Sequence, residues 1–218
     1  MNNRMFSRVV RNCVLVTTAA LIASTTMLAQ AGTAAFTAPA TNTLTRGWGP
    51  NQPVNLGTVF TANSSFNVDS LGIYRDPSLT GSEIVGLFDF STHALLASTT
   101  VQLTDTLAGS FLYHAITPVS LLAGHQYEVT AFVGNNPWTF GPAPATDSRV
   151  TYNSHLYNYS NQLAFASNSG GSGAAYFGAN FTIASVSAVP EPESYALMLA
   201  GLAGLTVLGK RKNKSRRA

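Results

Sequence analysis

Tyr127-Glu128-Val129-Thr130-Ala131-Phe132-Val133 places Tyr127, Val129, Ala131 and Val133 on one face of an extended chain. A helix would need its apolar residues three and four apart, and no window of the surrounding chain carries such a stripe. The same two-residue period runs through Leu56–Thr61, Phe66–Tyr74, Glu83–Phe88, Leu95–Leu103, Phe111–Ile116, Val150–Tyr159 and Ala175–Ile183. Within one of these runs Leu95, Thr99, Val101 and Leu103 again share a face. Gly, Pro, Asn and Asp punctuate the gaps at the spacing of a sandwich. Residues 55–186 are therefore expected to form an all-β domain, a two-sheet β-sandwich of about eight strands with jelly-roll-like connections. The stretch 32–54, rich in Thr, Ala, Asn and Pro with little periodicity, reads as an extended leader into that domain.

Both ends of the chain differ from this block. Residues 1–31 begin with a basic stretch ending at Arg11, continue through an apolar run from Cys13 to about Leu28, and end in Ala29-Gln30-Ala31. Small side chains at Ala29 and Ala31 are what a signal peptidase accommodates, so residues 1–31 are expected to be a signal peptide and the mature chain to start at Gly32. Residues 187–218 begin with Pro190-Glu191-Pro192, continue through an uncharged helix-length run at 194–209, and end in a basic tail at 210–218. Sixteen residues make about 24 Å of helix against a hydrocarbon core of about 30 Å, so this transmembrane helix is marginal as a permanent anchor. A basic cluster stays on the cytoplasmic side, which leaves the domain outside, in agreement with the N-terminal signal.

Charge follows the same division. Every lysine lies in the tail, and the central segment holds only Arg46, Arg75 and Arg149 against seven carboxylates, a net of −4. The basic pI belongs to the targeting segments, which argues against nucleic-acid binding. Cys13 is the only cysteine, so a chain cut after Ala31 has neither disulfide nor thiolate metal site. A domain of roughly 150 residues buries enough apolar surface to be stable without either.

Val189-Pro190-Glu191-Pro192, the short Gly/Ala/Leu helix and the Arg/Lys-rich end resemble the PEP-CTERM sorting signal. The resemblance implies a Gram-negative, exopolysaccharide-producing host. It also implies that exosortase, a membrane-embedded cysteine transpeptidase, recognises Pro190, Glu191 and Pro192, cuts nearby and discards the helix, as a GPI signal's tail is discarded. Two prolines lacking N–H donors fix an extended backbone that a protease-like cleft can hold. Within the domain, Leu56-Gly57-Thr58-Val59-Phe60, Val68-Asp69-Ser70-Leu71-Gly72-Ile73-Tyr74, Val85-Gly86-Leu87-Phe88-Asp89, Ala94-Leu95-Leu96-Ala97-Ser98 and Leu121-Leu122-Ala123-Gly124-His125-Gln126-Tyr127 resemble domains of the DUF4082 type. That resemblance covers roughly residues 55–135, leaves Gly134–Gly173 outside, and implies a fold and a location without an activity.

Catalysis needs an activated nucleophile, paired carboxylates or a metal cluster. His93, His114, His125 and His155 are isolated from one another, and no HExxH pair or GxSxG elbow is present. Asp69, Asp76 and Asp89 supply oxygens of the kind calcium takes, but turn chemistry accounts for Asp76-Pro77 and Asp89 without an ion. The expectation is a non-enzyme without metal or cofactor. Aromatic residues are the better candidates for contact: Trp138, with Phe140, in a loop between Pro137 and Pro142, and Tyr152, Tyr157 and Tyr159 along Val150–Tyr159, with Asn153, Asn158 and Asn161. Rings with amides bind sugar faces and hydroxyls, and strand packing is the competing explanation. The Gly/Ser run Asn168–Gly173 is expected as a flexible loop.

The chain is accordingly expected to be an exported surface or matrix protein of the exopolysaccharide layer or biofilm. Its partners are signal peptidase and exosortase during processing, the membrane before cleavage, and exopolysaccharide. A carbohydrate-binding or adhesive module is the alternative, and a secreted hydrolase the least favoured.

Overall fold

In a computed structural model, residues 32–39, 45–48, 53–134 and 136–185 are described. The expected signal peptide, sorting motif, helix and basic tail lie outside the described residues. Among the described residues the chain forms β-strands and no α-helix. Numbering strands in chain order, the front sheet runs β1 (Thr33–Ala34), β16 (Ala179–Ile183), β5 (Phe66–Tyr74), β9 (Phe111–Leu121) and β8 (Thr106–Ala108). The back sheet runs β14 (Asn168–Gly171), β13 (Val150–Tyr159), β4 (Val54–Ala62), β10 (Gln126–Phe132), β6 (Glu83–Asp89) and β7 (Leu95–Val101). A side sheet runs β15 (Ala174–Phe177), β11 (Pro137–Pro142) and β3 (Thr45–Trp48), and β12 (Ala145–Thr146) pairs β2 (Phe36–Thr37).

The chain crosses between front and back at β4–β5, β5–β6, β7–β8 and β9–β10, a winding of jelly-roll type. Crossing lets strands adjacent in sequence contribute to opposite walls of one core. Phe60 on β4 meets Phe181 on β16 with ring centroids 4.8 Å apart, and Phe36, Phe66 and Tyr127 close around that pair. Val68, Leu71 and Ile73 from the front and Val85, Leu87 and Val129 from the back are fully buried in the same cluster. Removing side chains of this size from water stabilises by about 1.5–3 kcal/mol each. Tyr127, Val129, Ala131 and Val133 are all buried, as their alternation requires. β9 slips register against β5 between Val68 and Ser70, at the stretch of β9 that contains Pro118, a residue with no N–H for the ladder.

Three expectations are corrected. The stretch 32–54 is partly domain rather than leader: β1 pairs β16, β2 pairs β12, β3 pairs β11, and Val54 opens β4. Phe36 is the reason at β2, because its ring is buried against Phe60 and Phe181 and its backbone is gripped by a side chain. The Asn180 amide accepts from Phe36 N and Phe181 N and donates to Phe36 O and to the Tyr113 hydroxyl, at 2.8–3.1 Å, so all its hydrogen-bonding capacity is used inside the core. Second, Pro137–Pro142 is a strand, because β11 lies between two partners and its Thr139 and Phe140 register with both. Third, Asn168–Gly171 within the Gly/Ser run is a short edge strand on β13, with Gly171 at a φ of 109°. The run Ala175–Ile183 is divided at Gly178, so that β15 joins the side sheet and β16 the front sheet.

Candidate functional site

Tyr152 and Tyr157 are five residues apart, which in a regular strand puts them on opposite faces. β13 carries an extra residue: Tyr152 registers with Phe60 and Ser154 with Val59, leaving Asn153 unpaired in a bulge. The bulge returns His155, Tyr157 and Tyr159 to the face of Tyr152, where the side sheet meets them. Tyr176 of β15 stands edge-on to His155 at 4.7 Å and to Trp138 at 5.4 Å, and Phe140 contacts both His155 and Tyr176. Tyr157 and Tyr159 meet edge to face at 5.8 Å. The Tyr176 hydroxyl has its pKa raised by burial, with the neighbouring Tyr157 and Tyr159 adding to the effect.

Four residues were expected here, and the structure treats them differently. Tyr159 is the open ring, 52% exposed. Trp138 and Tyr157 are half-buried against the main core. Tyr152 is committed to structure: its hydroxyl donates to Ala174 O, and burial pushes its pKa up to about 12. Because Ala174 O only accepts, His155 Nδ1, 2.7 Å away, must carry the proton, and burial holds the imidazole below its usual pKa. Tyr176 and His155 belong to the cluster and were missed. The period-two run Ala174-Ala175-Tyr176-Phe177 was the available signal for Tyr176, whereas the bulge that aims His155 leaves no mark in sequence.

The expected acids act as turn-formers. Asp89 Oδ1 accepts from Ser91 and Thr92 backbone and hydroxyls at 2.7–3.0 Å, and these bonds hold its pKa near 2. They close the hairpin in which His93 adopts a φ of 59°. Asp76 accepts from Ser78 N at 2.7 Å and Thr139 Oγ1 at 3.1 Å, and Asp69 accepts from Thr182 Oγ1. His114 on β9 contacts Asp105 at 3.1 Å. Among the described residues no group of three or more His, Cys, Asp or Glu is placed to hold a metal.

Two glutamates carry the electrostatic tension of the domain. Glu83 is 5% exposed, burial raises its pKa to about 8, and Asn136 Nδ2 donates to it at 3.2 Å. Glu128 lies on the face of β10 opposite the main core and is fully buried all the same, because the segment 160–166 straps across that face. Its Oε1 accepts from Ala166 N at 2.9 Å and from Thr130 Oγ1, while Oε2 is buried with no partner. Burial pushes the Glu128 pKa up to about 7. Gly57, which registers with Thr130, leaves the room the carboxylate occupies, since a Cβ there would stand 2.6 Å from Glu128 Oε1. Asn55 pins the strap, donating to Gln162 O and accepting from Ala164 N at 3.1 Å each. Phe165 fastens its end between Phe88, Phe90 and the ring of His93, which stacks at 3.9 Å. Both acids are held inside the fold by burial and hydrogen bonds, and the aromatic face gathers Trp138, Tyr157 and Tyr159 with Tyr176.

A family model described as a domain of unknown function, DUF4082, matches residues 41–178, and a model of the PEP-CTERM protein-sorting motif matches residues 188–212. The first match reaches 41–54 and Gly134–Gly173, both beyond the resemblance expected from sequence. The second implies exosortase processing, with export and membrane anchoring before it. No curated protein matches. Among solved structures, one titled "Xyl-CBM35 in complex with glucuronic acid containing disaccharide" aligns at 21% identity over 62% of this chain and 96% of its own, with a TM-score of 0.26. With 138 of its 218 residues matched by one model and a sorting motif directly after them, the chain belongs to the DUF4082 family and carries a PEP-CTERM signal.

Proposed function

We propose that this chain is an exported, non-catalytic surface protein, trimmed by signal peptidase after Ala31 and by exosortase near Pro190-Glu191-Pro192, and retained in the exopolysaccharide or biofilm layer outside a Gram-negative cell. The observation that carries the reading is the order of parts: a folded β-domain whose last described strand ends at Ile183, followed at once by the sorting motif at 188–212. Cleavage before Gly32 is compatible with the fold, because β1 begins one residue later at Thr33 and would be kept. Mass spectrometry of protein recovered from the cell surface tests it. The expected species starts at Gly32 and ends near Pro190, and an intact polypeptide soluble in the cytoplasm would refute the reading.

A second reading, carbohydrate contact by the domain, is favoured by the aromatic face. Tyr159 and the half-buried Tyr157, Trp138 and Tyr176 offer rings of the kind that stack on pyranose faces. Retention on an affinity gel of the host polysaccharide, reduced by Tyr159→Ala and lost in Trp138→Ala, would support it. Equal retention of both variants would remove it and leave the first reading standing.

A further inference from the structure

A sheet edge presents a row of unpaired N–H and C=O groups, and proteins usually blunt it with short strands, lysine or proline. Among the described residues, seven of the eight strands that end a sheet, β1, β2, β3, β8, β12, β14 and β15, are four residues long or shorter. β7 is the exception, with seven residues. Its sequence, Leu95-Leu96-Ala97-Ser98-Thr99-Thr100-Val101, contains neither charge nor proline, and the chain's three lysines fall in its sequence at 210, 212 and 214. Every second residue of β7 turns its backbone groups away from β6, toward the open side.

The surroundings point the same way. Of the seven large apolar side chains exposed among the described residues, five belong to this flank: Ile84 on β6, Leu95 and Leu96 on β7, Leu103 in the turn after it and Leu107 on β8. Scattered exposed leucines need no explanation, but two on the single long edge and three on the elements next to it in the sheet or the chain do.

We propose that β7 pairs antiparallel with β7 of a second copy of this chain, joining two back sheets edge to edge around a twofold axis, with the flanking leucines covering the seam. The occupant follows from symmetry and charge. A strand paired with itself sets residues of one sequence opposite each other, so a charged edge would oppose like charges and an uncharged one does not. A charged partner has nothing to select on β7, whereas a second copy supplies the matching ladder, a Ser98-Thr99-Thr100 run for cross-strand hydroxyl pairs, and the same leucines. Seven paired residues make a small interface, so the association depends on concentration.

The test uses the full chain on intact producing cells. In a Cys13→Ser background, which removes the only natural cysteine, single variants Leu96→Cys, Ser98→Cys and Thr100→Cys are oxidised, with Ser120→Cys, at an exposed position of β9, as control. The expected result is a homodimer of twice the chain mass forming at one of the three positions about tenfold faster than at the control, since a disulfide needs Cα atoms within about 7 Å. Adding lysine at the two of these positions left free should return the cross-link to the control rate. A rate at the control level for all three positions, a dimer that survives the lysines, or linkage to a different polypeptide would each overturn the proposal.

Discussion

The two faces of β10 bury side chains by different means. Tyr127, Val129 and Ala131 face the sandwich core and are held by apolar area contributed from both sheets. Glu128 and Thr130 face the other way, where a half-solvated sheet would normally meet water, and are equally buried. There the cover is a single irregular segment, fastened by Asn55, by Asn158 donating to Phe165 O, by the Phe165 ring and by one Glu128 carboxylate oxygen. The first face is a bulk effect that tolerates imperfection; the second depends on a few directional bonds, each of which leaves an unsatisfied group when removed.

Several experiments would break or sharpen that contrast. The largest effect is expected on the core face: Phe181→Ala removes the ring against which Phe36, Phe60 and Phe66 pack, and should destabilise the domain by about 3–5 kcal/mol in a denaturant titration. A loss below about 1 kcal/mol would mean that the front and back sheets are not held by this cluster.

pH should act on the buried acids next. Burial raises the folded-state pKa of Glu128 to about 7 and of Glu83 to about 8, above the ordinary 4.5, so the folded state binds these protons more tightly than the unfolded one. Stability from this source is fully present below pH 4.5 and is lost as pH rises through 7 and then 8. Asp89 and Asp147, whose pKa values are lowered by their hydrogen bonds, act with the opposite sign and withdraw stability in acid. Thermal melts across pH 3–9 should therefore show a maximum on the acid side of neutral, and Glu128→Gln with Glu83→Gln should flatten the alkaline limb. An alkaline limb unchanged in the double variant would exclude these two residues as its source.

Unpinning the strap alone should cost less. Asn55→Ala removes the donor to Gln162 O and the acceptor for Ala164 N, for about 1–3 kcal/mol. Its signature is local: hydrogen exchange should quicken at the Ala164 and Ala166 amides while Val129 and Phe181 keep their protection. The smallest stability effect belongs to Tyr159→Ala, within about 0.5 kcal/mol because the ring is half in solvent. A larger loss would place Tyr159 among the packing residues and weaken its candidacy for ligand contact.

Much of the fold was legible along the chain, and the misses have physical causes. β5 and β13 begin and end at the expected residues, since period-two apolar runs bounded by turn formers are a local property. β2 was missed because two residues carry no period, and Phe36 acquires meaning only from Phe60, Phe181 and the Asn180 amide. In sequence β11 reads as a loop because Pro137 and Pro142 frame it, yet prolines at the ends of a strand obstruct little of its ladder. At the candidate site, Trp138, Tyr157 and Tyr159 were recognisable as unusual aromatics, whereas Tyr152 was grouped with them by an alternation that a regular strand would have broken.

By itself the sequence determined the all-β character of the domain, the acidic, lysine-free body and the sorting motif behind it, because alternation, charge and short motifs are written in neighbouring residues. Tertiary structure alone decided that Asn153 bulges and brings His155 beside Tyr176, that Glu128 is buried beneath residues 160–166, and that β7 is left at an edge. Each of these depends on what a distant segment does to a strand, and a strand's own residues specify its two faces but not what covers them.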